Sequence, residues 1–175
     1  MNIKSEKGAT LTEVIAAVAI LGMLLIPLSY IFITSCTTYM GESDRASAQQ
    51  AAREILYGNG LNFNGIIGDL EKSGAPMDCV IVTNDAAGIS MSIPEHGTVR
   101  EYTYLNHTLR CNGTPIYQDS STGKQIKINS FTVQRISRSI SNDDNDKIRV
   151  QVEVSCGQSG SVKLESSYRF PDIEK

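Results

Sequence analysis

The chain has no tryptophan, two histidines, four cysteines and five prolines among its 175 residues. His96, in Pro-Glu-His-Gly, and His107, in Asn-His-Thr, stand alone in turn-like contexts with no ligand or nucleophile at motif spacing. They read as surface turn residues. No G-x-S-x-G, H-E-x-x-H or phosphate loop occurs, so enzyme chemistry is not expected, and no catalytic residue, metal or cofactor is assigned. A basic excess is missing too: 16 Lys and Arg face 19 Asp and Glu, for a net charge of -3, and nucleic acid is not an expected partner. With 41% hydrophobic and 20% charged residues, neither a disordered nor a collagen-like chain is in view.

Long apolar runs are equally scarce, with one exception. Residues 14–33, VIAAVAILGMLLIPLSYIFI, contain no charge. At ~1.5 Å per residue this stretch makes a helix of roughly 30 Å, the thickness of a bilayer core. Lys4 and Lys7 precede it and favour an N-terminus kept in the cytoplasm. Glu13 stands at its front edge, where a carboxylate is costly unless paired and so marks a functional position with a partner to be named.

The segment Lys7-Gly8-Ala9-Thr10-Leu11-Thr12-Glu13-Val14-Ile15, with the apolar run behind it, resembles the class III signal of type IV pilins and type II secretion pseudopilins. The resemblance implies a leader of residues 1–8, removed by prepilin peptidase between Gly8 and Ala9, with N-methylation of Ala9. It also implies that Glu13, the fifth residue after the cut, pairs in the assembled filament with the Ala9 amine of a neighbouring subunit. An unpaired carboxylate in an apolar filament core is expensive and a paired one much less so, which favours correct register. The family usually has Phe directly after the cut, where this chain has Ala9. Implied partners are membrane lipid before assembly, the pilus assembly platform and other pilin or pseudopilin subunits. The implied location is a single pass of the cytoplasmic (inner) membrane, followed by an extracellular filament or pseudopilus. A rival motif, Ile33-Thr34-Ser35-Cys36, resembles a lipobox and would make the chain a lipidated surface binding domain anchored through Cys36.

Beyond the apolar run, residues 34–57 are rich in helix formers, and Ala48, Ala52, Ile55 and Leu56 form an apolar stripe suited to packing under a sheet. Gly58-Asn59-Gly60 ends the helix. Gly22 and Pro27 predict a bend or melted turn near residues 23–27. Residues 58–78 read as a connecting loop, with a short helical turn at 66–71.

From Cys79 onward the period becomes two, predicting an antiparallel β head over 79–175. Ile148, Val150, Val152, Val154 and Cys156 alternate without a break, and Val162, Leu164, Tyr168 and Phe170 continue across a Gly-rich turn, with Ser166 as the exception. Ile126 and Ile128, then Phe131 and Val133, change phase at Asn129-Ser130, which predicts a bulge or a strand break. The expected class is therefore α+β, a long N-terminal helix with a membrane half (9–33) and an amphipathic half (34–57) against the sheet. Residues 100–110, REYTYLNHTLR, are similar to a hairpin of W-type minor pilins and J-type minor pseudopilins.

Any two of Cys79, Cys111 and Cys156 could bridge in an oxidising compartment, whereas Cys36 lies near the membrane end of the helix. The run Asn142-Asp143-Asp144-Asn145-Asp146 gathers oxygen ligands but lacks the spacing of a calcium loop, and reads as a solvated hairpin tip.

Overall fold

The computed structural model describes residues 10–60, 63–85, 88–95, 97–116, 125–136, 146–157 and 159–171. The chain divides into two compact units, Met1–Met40 and Gly41–Lys175. Helix α1, Leu11–Tyr57, runs through the boundary without interruption.

In the first unit α1 carries the uncharged stretch. Leu21, Leu24, Ile31 and Phe32 are all at least 60% exposed, as is Ile26 at 75%. This is the one helix among the described residues long and apolar enough to cross a membrane. Its hydroxyls turn inward on their own backbone: Ser35 donates to the Ile31 carbonyl at 2.7 Å and Thr37 to that of Thr34 at 2.9 Å. A polar group satisfied in this way costs little in an apolar solvent. The melted turn that was one expectation for residues 23–27 is absent: the helix continues through Pro27. Proline removes one backbone bond and crowds one carbonyl, and the turns on either side hold the rest.

The second unit is built on helix and sheet. Ala48, Ala51, Ala52, Ile55 and Leu56 of α1 are buried, so the apolar stripe does face a core, with Ala51 added to it. Alanines at these positions let a sheet approach the helix axis closely. Residues 58–78 hold more than the short helical turn expected at 66–71. They contain helix α2, Gly65–Ser73, with Ile66, Ile67 and Leu70 buried, followed by a 3-10 turn at Met77–Cys79. The passage from α1 to α2 depends on two glycines with positive φ, Gly58 (+84°) and Gly65 (+74°). A Cβ on Gly58 would lie 2.1 Å from the Phe63 carbonyl oxygen, and one on Gly65 would lie 2.2 Å from the Gly58 nitrogen. Only glycine permits so close a crossing.

Among the described residues eight strands follow: β1 (Ile81–Asp85), β2 (Gly88–Glu95), β3 (Thr98–Leu105), β4 (Thr108–Cys111), β5 (Thr114–Pro115), β6 (Ile126–Ile136), β7 (Lys147–Cys156) and β8 (Ser159–Arg169). They form two antiparallel sheets, in the orders β1-β2-β3-β4-β5 and β6-β7-β8. The expected α+β class is what the chain adopts. On β7 the alternation holds throughout, with Ile148, Val150, Val152, Val154 and Cys156 buried. The phase change on β6 is a register shift between Ile128 and Ser130. The turn between β3 and β4 is Asn106-His107, both at positive φ, the conformation that matches strand twist in a two-residue hairpin. Ser166, the exception on β8, has its hydroxyl 2.7 Å from the Tyr57 hydroxyl at the end of α1. A polar residue breaks the apolar phase because the helix presents a polar group there.

Candidate functional site

The N-terminal end of α1 is a reciprocal cap. Thr10 precedes the first helical residue. Its backbone N–H donates to Glu13 Oε2 at 2.8 Å, and its hydroxyl donates to the same oxygen at 3.0 Å. The Glu13 N–H in turn reaches the Thr10 hydroxyl at a long 3.4 Å, and the Thr10 carbonyl at 3.0 Å. Thr-x-x-Glu is the capping-box pattern, which satisfies orphan donors at a helix start. It was legible in Thr10-Leu11-Thr12-Glu13 and was obscured by reading Glu13 only as a charge in search of a distant partner. Both contacts fall on Oε2, so Oε1 of this exposed carboxylate engages no other described residue. The expected cleavage residues Gly8 and Ala9 lie outside the described residues.

In the second unit the densest polar cluster surrounds Asp69, the single buried charged residue among the described positions, at 1% exposure. Three side chains place groups on it. Tyr102 of β3 donates its hydroxyl to Oδ2 at 2.5 Å, Arg100 of the same strand brings Nη1 within 3.3 Å of Oδ2, and Asn64 donates to Oδ1 at 3.0 Å. Arg100 also donates through Nε to Glu95 of β2 at 2.7 Å, and Lys72 donates to Asn64 Oδ1 at 2.6 Å. Burial, then the bond and charge of Asp69, push the Tyr102 hydroxyl pKa far above its ordinary value. Burial likewise raises the Cys111 thiol, against the lowering effect of its contacts to Tyr102 and Arg100.

Among the described residues no buried side-chain polar atom lacks a partner, so this cluster is a closed network tying α2 to the first sheet. Beside it lies a cavity of about 280 Å³ lined by Glu54, Asn59, Phe63, Arg100, Cys111 and the 114–116 segment. No sequence signal marked this network: Asp69 fell in the short helical turn expected at 66–71, and Tyr102 and Arg100 lie 31 or more positions away along the chain.

The remaining expected residues are dispersed. Cys36 and the three candidates for a bridge, Cys79, Cys111 and Cys156, are unbridged thiols here. Cys79 is exposed in the 3-10 turn, Cys111 closes β4 half-buried, and Cys156 is buried at the end of β7. Cys36 is half-buried within unbroken helix. His107 occupies the β3–β4 turn, with Nδ1 3.2 Å from the Ile128 carbonyl. His96 and residues 142–145 of the acidic run lie outside the described residues. No group of three His, Cys, Asp or Glu side chains able to hold a metal occurs among the described residues. Comparison with known proteins finds no family model, no curated protein and no solved structure that matches this chain.

Proposed function

We propose that the chain is a non-enzymatic minor type IV pilin or pseudopilin subunit. It is made as a prepilin, held in the inner membrane by the apolar half of α1, cut after Gly8 and N-methylated at Ala9. It then enters a cell-surface filament, a fimbrium or a secretion pseudopilus. Its role is structural or priming, in adhesion, motility or protein secretion. The observation that carries the reading is the Glu13 carboxylate, capping the first turn of a helix whose next twenty residues bear no charge and lie open. Such a helix needs an apolar surrounding, which lipid supplies first and neighbouring subunits supply later.

The capping box refines the pairing proposed for Glu13. Cleavage between Gly8 and Ala9 leaves the Thr10 amide in place, so Oε2 stays engaged and Oε1 is presented to a neighbour's ammonium. A carboxylate already fixed by its own helix loses little rotamer freedom when it pairs.

Intact and N-terminal peptide mass of the protein from its native membrane tests the reading. A chain beginning at methylated Ala9 is the expected result. An uncut chain beginning at Met1, or a lipid on Cys36, overturns it, and the lipid would make the protein a lipidated surface binding domain.

A further inference from the structure

Strand β8 ends the three-stranded sheet; helix α2 approaches it, and among the described residues no backbone bond joins its outer edge to another element. An edge of this length is an aggregation hazard unless it is managed or used. The register between β7 and β8 is regular from Val162 to Arg169 and shifts between Val154 and Cys156. The outward face of β8 carries Ser161, Lys163, Glu165 and Ser167, all exposed. Toward the core it carries half-buried Val162, Leu164 and Ser166.

We propose that β8 pairs edge to edge with β8 of a second copy of this chain, antiparallel and centred on Leu164. Antiparallel self-pairing of an edge constrains the register, because the same backbone groups must face outward on both strands. Among the allowed registers, the one centred on Leu164 places Lys163 opposite Glu165 of the second copy, twice by symmetry. It sets Leu164 against Leu164 and Ser161 against Ser167. Centring on Lys163 or on Glu165 would put like charges face to face. Centring on Ser167 also offers a favourable pair, Glu165 with Arg169, but it overlaps only residues 165–169.

The charges already alternate within one copy. Lys163 stands opposite Glu153 on β7, whose carboxylate is held below its ordinary pKa by hydrogen bonds from Ser161 and Ser130, and Glu165 is 3.0 Å from Arg149. The pairing extends that ladder across the edge, from Glu153 through Lys163 to Glu165 of the second copy. It turns the edge charges from a guard against indiscriminate pairing into a code for one partner.

Pairing of this kind has its twofold axis normal to the joined sheet, so the 41–57 stretches of the two helices run in opposite directions. On the function proposed above, the contact therefore belongs between separate filaments or membranes rather than between neighbours in one.

The test uses the full chain in detergent micelles and does not depend on leader cleavage. Sedimentation across a concentration series is expected to give a monomer–dimer equilibrium. Lys163→Glu is expected to weaken it by about tenfold or more, and the charge swap Lys163→Glu with Glu165→Lys to restore it. On oxidation Leu164→Cys is expected to form a 164–164 linked peptide. In a mixture, Lys163→Cys is expected to link to Glu165→Cys in preference to itself. A chain that stays monomeric, a dimer indifferent to Lys163→Glu, a swap that fails to restore it, or linkage through Ser167→Cys instead of Leu164→Cys would each overturn the proposal. Near-identical thermal melting of the charge variants separates loss of pairing from loss of fold.

Discussion

The two halves of α1 share a helix and differ in everything else. Before residue 41 the apolar side chains lie open, with Leu24 63% exposed and Ile26 75%; after it Ala48, Ala51, Ala52 and Ile55 are 0% exposed. The more hydrophobic half buries less. Hydrophobicity fixes the surrounding a segment requires, and pattern decides whether the chain can supply that surrounding itself. A stretch apolar on every side has no polar face to turn outward, whereas a narrow stripe of alanine and isoleucine can be covered by one sheet.

The largest effect is expected from removing one half or the other. A chain starting at Thr34 retains the buried stripe and should unfold cooperatively on heating. One starting at Gly60 exposes Ile148, Val150, Val152 and Val154 of β7, among other side chains each worth roughly 1.5–3 kcal/mol when buried, against a total stability of about 5–15 kcal/mol. It should aggregate or lose its thermal transition. Equal melting of the two would mean that the second half of α1 is no part of the core.

Next in size is the Asp69 network. Asp69→Ala strands the Tyr102 hydroxyl and removes a counter-charge from Arg100, and should cost about 2–4 kcal/mol in chemical denaturation, because Arg100 keeps Glu95 and some solvent. The same network predicts an alkaline limb. The folded chain holds the Tyr102 proton above the ordinary tyrosine value of about 10, so stability is unaffected by this group below that pH. Above it, stability falls by about 1.4 kcal/mol per pH unit. Tyr102→Phe should flatten that limb, and an unchanged slope would remove Tyr102 as its source.

How much of this was legible follows the same division. Period two on β7 and β8 and the phase change at Asn129-Ser130 were local patterns, and the strands and bulge lie where those patterns put them. Helix α2 was legible as a short turn at 66–71 but not in its full nine residues, because it is flanked by Asn and Gly and rests on burying Ile66, Ile67 and Leu70 in a core assembled from distant strands. The Asp69 cluster was invisible for the same reason: its meaning lies in Tyr102 and Arg100, brought to it by the sheet. The melted turn expected near Pro27 was a local rule outweighed by the turns on either side of it in a 47-residue helix.

A smaller contrast sharpens the view of how α1 joins the head. Gly58→Ala combines positive φ with a backbone collision and should lose more than about 2 kcal/mol. Gly74→Ala has φ +55° but open space around its Cβ, and should lose only about 1 kcal/mol. Similar losses would show that backbone conformation, and not the close approach of Gly58 to residues 63 and 64, governs the crossing. Smallest of all for the head is Glu13→Gln, which should leave its melting temperature, membrane insertion and Gly8 cleavage unchanged while impairing incorporation into filaments. Normal incorporation by the variant would remove Glu13 from assembly.

The central claim is that one helix answers to two surroundings, lipid for its first half and its own sheet for its second. Photolabelling of the full chain in bilayers with a lipid-soluble carbene precursor, read residue by residue by peptide mass, tests it most directly. The account predicts label distributed through residues 14–33 and none on Ala48, Ala51, Ala52 or Ile55. Label on those four residues, or an unlabelled 14–33 stretch, would contradict it.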